Sequence, residues 1–222
     1  MFKKVLVVED FDVINSGIKT VLDEINIQTV DYVSYCDEAF LKIKKAHLIN
    51  KPYQLIISDL SFENDGTPQK LKSGDELIEK IRKEFSDLKI IVFSVEDKPF
   101  RIQSLYKNLN IQGYIWKNRN GLKELKKTIH KTFTSNEFCI SPGLKSAIHP
   151  KETIEITSYD IHIIAQLSKG VLQDNLPRMF EEKGIKPSGK SSIEKRLKFL
   201  KEHFNANNPA HLVAIAKDFG LI

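Results

Sequence analysis

The chain has 222 residues, 41% of them hydrophobic and 28% charged, which is comfortable for two globular domains. No apolar run approaches the ~20 residues that span a bilayer, so a membrane segment is excluded. The net charge of +5 is spread as +3 over residues 1–132 and +2 over residues 151–222, so charge alone does not mark a nucleic-acid-binding half.

The N-terminal MFKKVLVVED has the lysines and apolar run of a secretory leader, but Glu9 and Asp10 interrupt it and no small-residue cleavage site follows. It reads as a buried strand. Cys36 and Cys139 fit no metal spacing and suit a reducing, cytoplasmic compartment.

Short apolar runs at Lys4–Val8, Thr29–Val33, Leu55–Ser58, Ile90–Phe93 and Gly113–Trp116 predict five strands. Val5-Leu6-Val7-Val8 and Leu55-Ile56-Ile57 are apolar on both faces, as central strands of a parallel sheet covered on both sides must be. Helical patterns lie between and after them, at Val13–Glu24, Asp37–His47, Asp75–Phe85, Pro99–Asn108 and Leu122–Thr132. This alternation predicts an α/β fold, a doubly wound five-stranded parallel sheet. Residues 134–156 hold Ser-Pro-Gly and His-Pro without periodicity and read as a linker with a little local structure. From Ser158 four helices are expected, at Ser158–Ser168, Asn175–Lys183, Ser191–Phe204 and Pro209–Phe219, with Asp174 capping the second and Pro177 in its first turn.

Ligands of an open parallel sheet bind beyond the carboxyl ends of its strands. Glu9 and Asp10 follow the first strand, Asp59 the third, Ser94 the fourth and Lys117 the fifth. Three massed carboxylates repel unless a cation joins them, and oxygen ligands in a partly open site suit Mg²⁺, to which the Ser61 carbonyl would add. With a phosphoryl group as substrate, Asp59 is the nucleophile, Lys117 pairs with the transferred charge, and Ser94 donates a hydrogen bond to a phosphoryl oxygen.

Val-Val-Glu-Asp (7–10), Ser-Asp-Leu (58–60), Phe-Ser-Val-Glu (93–96) and Gly-Tyr-Ile-Trp-Lys (113–117) resemble the signature segments of two-component receiver domains, over residues 1–132. The resemblance implies phosphorylation of Asp59 by a histidine kinase, Mg²⁺ held by the acids, and a switch shared by Ser94 and Tyr114. The segment Ser61–Ser73 is longer and more polar than is common in the family, with Asn64-Asp65-Gly66 and Ser73-Gly74 as turn signals, and Val95 stands where a smaller residue is frequent. A phosphatase of the haloacid-dehalogenase type would place an aspartate two residues after Asp59, where this chain has Ser61, so no enzymatic turnover is expected.

In the third helix of the second half Ile193, Leu197, Leu200 and Phe204 form an apolar stripe. Ser191, Lys195, Lys198 and Glu202 lie opposite, the form of a recognition helix in the major groove. Lysine there donates to guanine and serine to several base edges, while Lys190, Ser192, Arg196 and Lys201 are placed for phosphates. The blander reading, an ordinary solvated charged face, applies to such a run taken alone. Residues 157–222 resemble the LuxR-type helix-turn-helix domain through Ile156-Thr157, Leu167–Gly170, Ser192-Ile193, Leu197, Ala214-Ile215-Ala216 and Gly220-Leu221-Ile222, with Glu194 where a lysine is common.

Together these resemblances imply a receiver at 1–133, a linker at 134–156 and a DNA-binding domain at 157–222. They imply a cytoplasmic homodimer that binds double-stranded DNA under control of Asp59 phosphorylation. The alternative is a DNA binder whose receiver serves only for dimerisation or docking. The segment Gly184–Ser191 matches the P-loop pattern, but a helix rather than a strand is expected before it, so the match is read as chance.

Overall fold

The structure is a computed structural model that describes residues 1–135, 137–148, 156–204 and 206–222. Two compact units divide the chain, one drawn mostly from residues before 150 and one mostly from those after it.

The first unit is built on a parallel sheet in the order β2-β1-β3-β4-β5-β6. The strands are β1 (Lys4–Val8), β2 (Thr29–Val33), β3 (Leu55–Ser58), β4 (Lys89–Ser94), β5 (Gly113–Trp116) and β6 (Cys139–Ile140). Helices α1 (Asp12–Glu24), α2 (Cys36–Leu48), α3 (Gly74–Glu84), α4 (Pro99–Leu109) and α5 (Gly121–Thr134) connect or follow the first five. Alternate residues of the apolar runs face opposite ways, so each strand feeds two cores. Leu6, Val8, Ile56, Ile90, Val92 and Tyr114 pack with residues of α2, α3 and α4. Val5, Val7, Leu55, Ile57, Ile91, Phe93 and Ile115 pack with α1 and α5. This double burial explains why, after the lysines that open β1 and β4, the middles of the central strands are apolar.

The five-stranded expectation is corrected to six. The sixth strand comes from the segment expected as linker: β6 pairs with β5, Gly113 opposite Cys139 and Tyr114 opposite Ile140. A 3-10 turn (Pro142–Leu144) and a short helix α6 (Lys145–Ile148) follow, and Leu144 and Ala147 are buried in the core that contains Tyr114. Residue 136 and residues 149–155 of that segment lie outside the described residues.

The second unit is helical: α7 (Ser158–Ser168), a 3-10 turn (Gln173–Asn175), α8 (Leu176–Glu182), α9 (Lys190–His203) and α10 (Pro209–Asp218). Ile163, Ile164, Leu176, Phe180, Ile193, Leu197, Leu200, Leu212 and Ala216 form its core, which confirms the stripe expected of α9, with Phe204 packed at its margin. Thr157 and Asp160 close a capping box on α7. The expected cap of α8 is corrected: Asn175 takes that position without a side-chain bond, and Asp174, one residue earlier in the 3-10 turn, pairs with Lys190 at 3.1 Å. Gly184 ends α8 at φ +66°, where Ile185 N–H returns to the Phe180 carbonyl at 2.8 Å. A helix therefore precedes Gly184–Ser191, and the segment lacks the strand a P-loop requires.

Candidate functional site

The strand order reverses at β1, which lies between β2 and β3, and the crevice at such a point opens beyond the strand ends. Glu9 and Asp10 leave β1 there and Asp59 leaves β3, with one carboxylate oxygen of each lying within 4.8 Å of the others. Glu9 is 1% and Asp59 4% exposed, while Asp10 is half-buried.

Lys117, just beyond β5, reaches across the sheet end. Its ammonium donates to Glu9 Oε2 and Asp59 Oδ2, both at 2.6 Å. Two carboxylates share one ammonium in so dry a place, so losing Lys117 would leave both uncompensated, whereas losing one carboxylate leaves the other still paired. Burial pushes the Glu9 carboxyl above its usual range, Lys117 pulls it down through a hydrogen bond and its charge, and the Asp59 carboxylate pushes it up again, for a net rise.

The remaining oxygens are unequally satisfied. Asp59 Oδ1 accepts the Leu60 N–H at 2.6 Å and Asp10 Oδ2 accepts the Glu63 N–H at 2.7 Å. Asp10 Oδ1 is buried without a partner. An orphaned anionic oxygen beside two further carboxylates is what a hard divalent cation would satisfy, so the donor set fits Mg²⁺.

Ser94 is fully buried at the end of β4, and its hydroxyl accepts the Glu96 N–H at 3.4 Å. Tyr114 is fully buried and its hydroxyl donates to the Glu96 carbonyl at 2.8 Å. Ser61 lies exposed two residues beyond Asp59.

Sequence reasoning missed two contributors. Asn15 on α1 donates to the Glu9 carbonyl at 3.0 Å; a polar residue in a helix interior was the only signal. Gly74, which read as a turn residue, begins α3 against the Asp59–Leu60 backbone, and a Cβ there would stand 2.0 Å from the Asp59 carbonyl oxygen.

In the helical unit, Lys190, Ser191, Ser192, Glu194, Lys195 and Lys198 are exposed along α9, and Lys201 is half-exposed. Lys190 pairs with Asp174 at 3.1 Å and approaches Glu194 at 3.9 Å; Lys198 lies 3.9 Å from Glu202. Arg196 departs from the expected phosphate-contacting role. Its Nε and Nη2 grip the two oxygens of Asp160 at 2.5 and 2.6 Å, and its guanidinium lies 4.6 Å from the centre of the Phe199 ring. The fully buried Asp160 needs that partner, so the guanidinium is committed to the fold.

A sheet-end pocket with a buried aspartate, a bridging lysine and paired acids has the donors to meet a phosphoryl group and a cation, and comparison with known proteins gives the family. Residues 5–130 match the model of the response regulator receiver domain, and the chain belongs to that family. The response regulator GacA of Pseudomonas protegens is 29% identical over 143 residues, an alignment that takes in 64% of this chain and 60% of GacA, under two thirds of the relative's length. Among solved structures, the RcsB response regulator of Salmonella typhimurium matches with a TM-score of 0.71 at 18% identity, over 96% of this chain and 98% of RcsB. RcsB of Salmonella enterica serovar Typhimurium, bound to promoter rprA with the phosphomimetic BeF3-, matches with a TM-score of 0.65 at 19% identity, over 97% and 98% of the two chains. At such identities the structural matches speak for the fold.

Proposed function

We propose that this chain is a DNA-binding response regulator controlled by phosphorylation of Asp59. The observation that carries the reading is the Lys117 ammonium bridging Glu9 and Asp59 beside the orphaned Asp10 oxygen. In the proposed transfer an Asp59 oxygen bonds to phosphorus as the P–N bond of a kinase phosphohistidine breaks, and the imidazole leaves. Glu9, Asp10 and Asp59, with the Ser61 carbonyl, would hold Mg²⁺, which would supply charge neutralisation for the phosphoryl oxygens. Lys117 then exchanges its bond to Asp59 for one to the phosphoryl group, and Ser94 donates its hydroxyl to the same group. Tyr114 and Ser94 meet at Glu96, so a change at one is felt by the other.

The output assigned to residues 157–222 is binding of double-stranded DNA as a homodimer. The relative RcsB bound to promoter rprA and the exposed face of α9 support it. Lys195, Lys198 and Ser191 are the proposed base-side contacts, with Lys190, Ser192, Glu194 and Lys201 flanking. A kinase partner and a DNA target place the work in the cytoplasm; among the described residues no helix is long and apolar enough to cross a membrane.

The test is intact-protein mass after acetyl phosphate with Mg²⁺, together with DNA selection with and without beryllofluoride at stated salt. An added phosphoryl mass at Asp59, lost in Asp59→Asn, and a changed DNA affinity are expected. Unchanged mass, oligomeric state and affinity would leave the receiver as a docking module.

A further inference from the structure

Cys139 and Ser141, which follow α5, are hydrogen-bonded to β5 and its flanks. Cys139 N–H donates to the Gln112 carbonyl at 3.0 Å, and Ser141 N–H donates to the Tyr114 carbonyl at 3.0 Å. The Ser141 hydroxyl accepts the Trp116 N–H at 3.0 Å and donates to the Glu124 carboxylate on α5. Ser141 is 1% exposed, so none of these bonds is replaced by water without opening the segment. Phe138 packs on Tyr106 of α4 with ring centres 4.2 Å apart and planes tilted by 33°, and Leu144 and Ala147 are buried in the core that contains Tyr114.

The same two residues of β5 reach the other way, to the turn after Ser94. Tyr114 donates to the Glu96 carbonyl at 2.8 Å and Trp116 Nε1 to the Val95 carbonyl at 3.1 Å. A displacement of Ser94 toward a phosphoryl group carries Val95 and Glu96 with it. Their carbonyls hold Tyr114 and Trp116, whose backbones hold Ser141. The path is a run of directional hydrogen bonds anchored on the buried Ser94, Tyr114 and Ser141 and passing through the more exposed Val95, Glu96 and Trp116.

We propose that residues 137–148 are the output strap of the receiver, and that Ser141 is the positioning residue through which the state of Asp59 reaches the chain leading to the helical unit. This rests on the phosphorylation reading above and adds the route of its output. β6 has only two residues, Cys139 and Ile140, so the strap has few backbone bonds to lose when it shifts.

Hydrogen exchange on the full chain, with and without beryllofluoride and Mg²⁺, tests it. Exchange within 139–148 should change by about fivefold, the scale of one buried hydrogen bond made or lost. Ser141→Ala should abolish that change while leaving the response of the peptides holding Glu9, Asp10 and Asp59 intact. Ser141→Thr should restore it, and Glu124→Gln, which keeps the Ser141 hydroxyl, provides a second variant if Ser141→Ala does not fold. A response around Asp59 with no change in 139–148, or a change that survives both Ser141→Ala and Glu124→Gln, overturns the strap and spares the site. No response at either place overturns both.

Discussion

The two units bury charge for opposite reasons. In the receiver, Glu9, Asp59 and Lys117 are buried at the mouth of a crevice, and one oxygen of Asp10 there has no partner. In the helical unit, buried Asp160 is fully spent, one carboxylate satisfying Arg196, the Thr157 N–H and the Thr157 hydroxyl. An unsatisfied buried charge marks a place where something else binds, and a satisfied one marks a structural tie. Working residues of the helical unit are sought instead on its exposed face.

The strongest challenge to that contrast is Arg196→Ala. It strands the Asp160 carboxylate in the core and should cost about 3 kcal/mol, seen as a lower urea midpoint for the helical unit. Burial raises the Asp160 carboxyl, but the hydrogen bonds from Arg196 and Thr157 outweigh it and leave the group below its usual range. A depressed folded pKa gives stability that is present above the unfolded value, ~3.9, and lost as pH falls through the folded value. The wild-type chain should shed this contribution below about pH 4, and the variant should lack that part of the acid transition. Equal stability of the two proteins at neutral pH would make Arg196 available for DNA after all.

Gly74→Ala comes next. The added methyl meets the Asp59 backbone, so α3 or the end of β3 must move. Overpacking of this kind costs about 2 kcal/mol, and phosphoryl uptake from acetyl phosphate should fall with it. Normal uptake in a destabilised variant would show that α3 yields and the site does not.

Glu9→Gln is expected to act in the opposite direction. Burial and the neighbouring Asp59 disfavour the Glu9 charge, so neutralising it should stabilise the receiver by about 1 kcal/mol without divalent cation. The same change should remove most of the rise in melting temperature that Mg²⁺ gives the wild type; with cation a hundredfold above Kd that gain is about 2.7 kcal/mol. Wild-type melting that ignores Mg²⁺ would dismiss the acids as a cation site.

How much of this the sequence disclosed follows from the range of the interactions. The central strands and the acids at their ends were legible because each is a local pattern whose placement the sheet topology dictates. Lys117 could be assigned to the pocket without knowing that it bridges Glu9 and Asp59. β6 was invisible: Cys139-Ile140 is two residues before a Ser-Pro-Gly turn, and it is a strand only because β5 offers an edge. The Asp160–Arg196 pair spans 36 positions with no pattern between, so Arg196 read as one more surface base. Gly74 followed Ser73 as a turn signal, and the close approach it allows is a tertiary fact.

The smallest effect on stability, and the sharpest on function, is expected at Lys195. It is exposed on α9, and among the described residues no ion pair holds it, unlike Lys190 and Lys198. Lys195→Ala should change folding stability by less than about 0.5 kcal/mol, because it removes no buried contact. A lysine already paired within the helix must give up that partner to meet DNA, whereas Lys195 offers its charge without that loss. If it meets a phosphate, the variant should weaken binding to all sequences alike and lower the salt slope by about 0.9. If it meets a guanine edge, discrimination at one base pair should fall by about 1–3 kcal/mol with the slope little changed. Binding that keeps both slope and sequence preference would return the α9 face to an ordinary solvated surface, and the helical unit would then need another way to reach DNA.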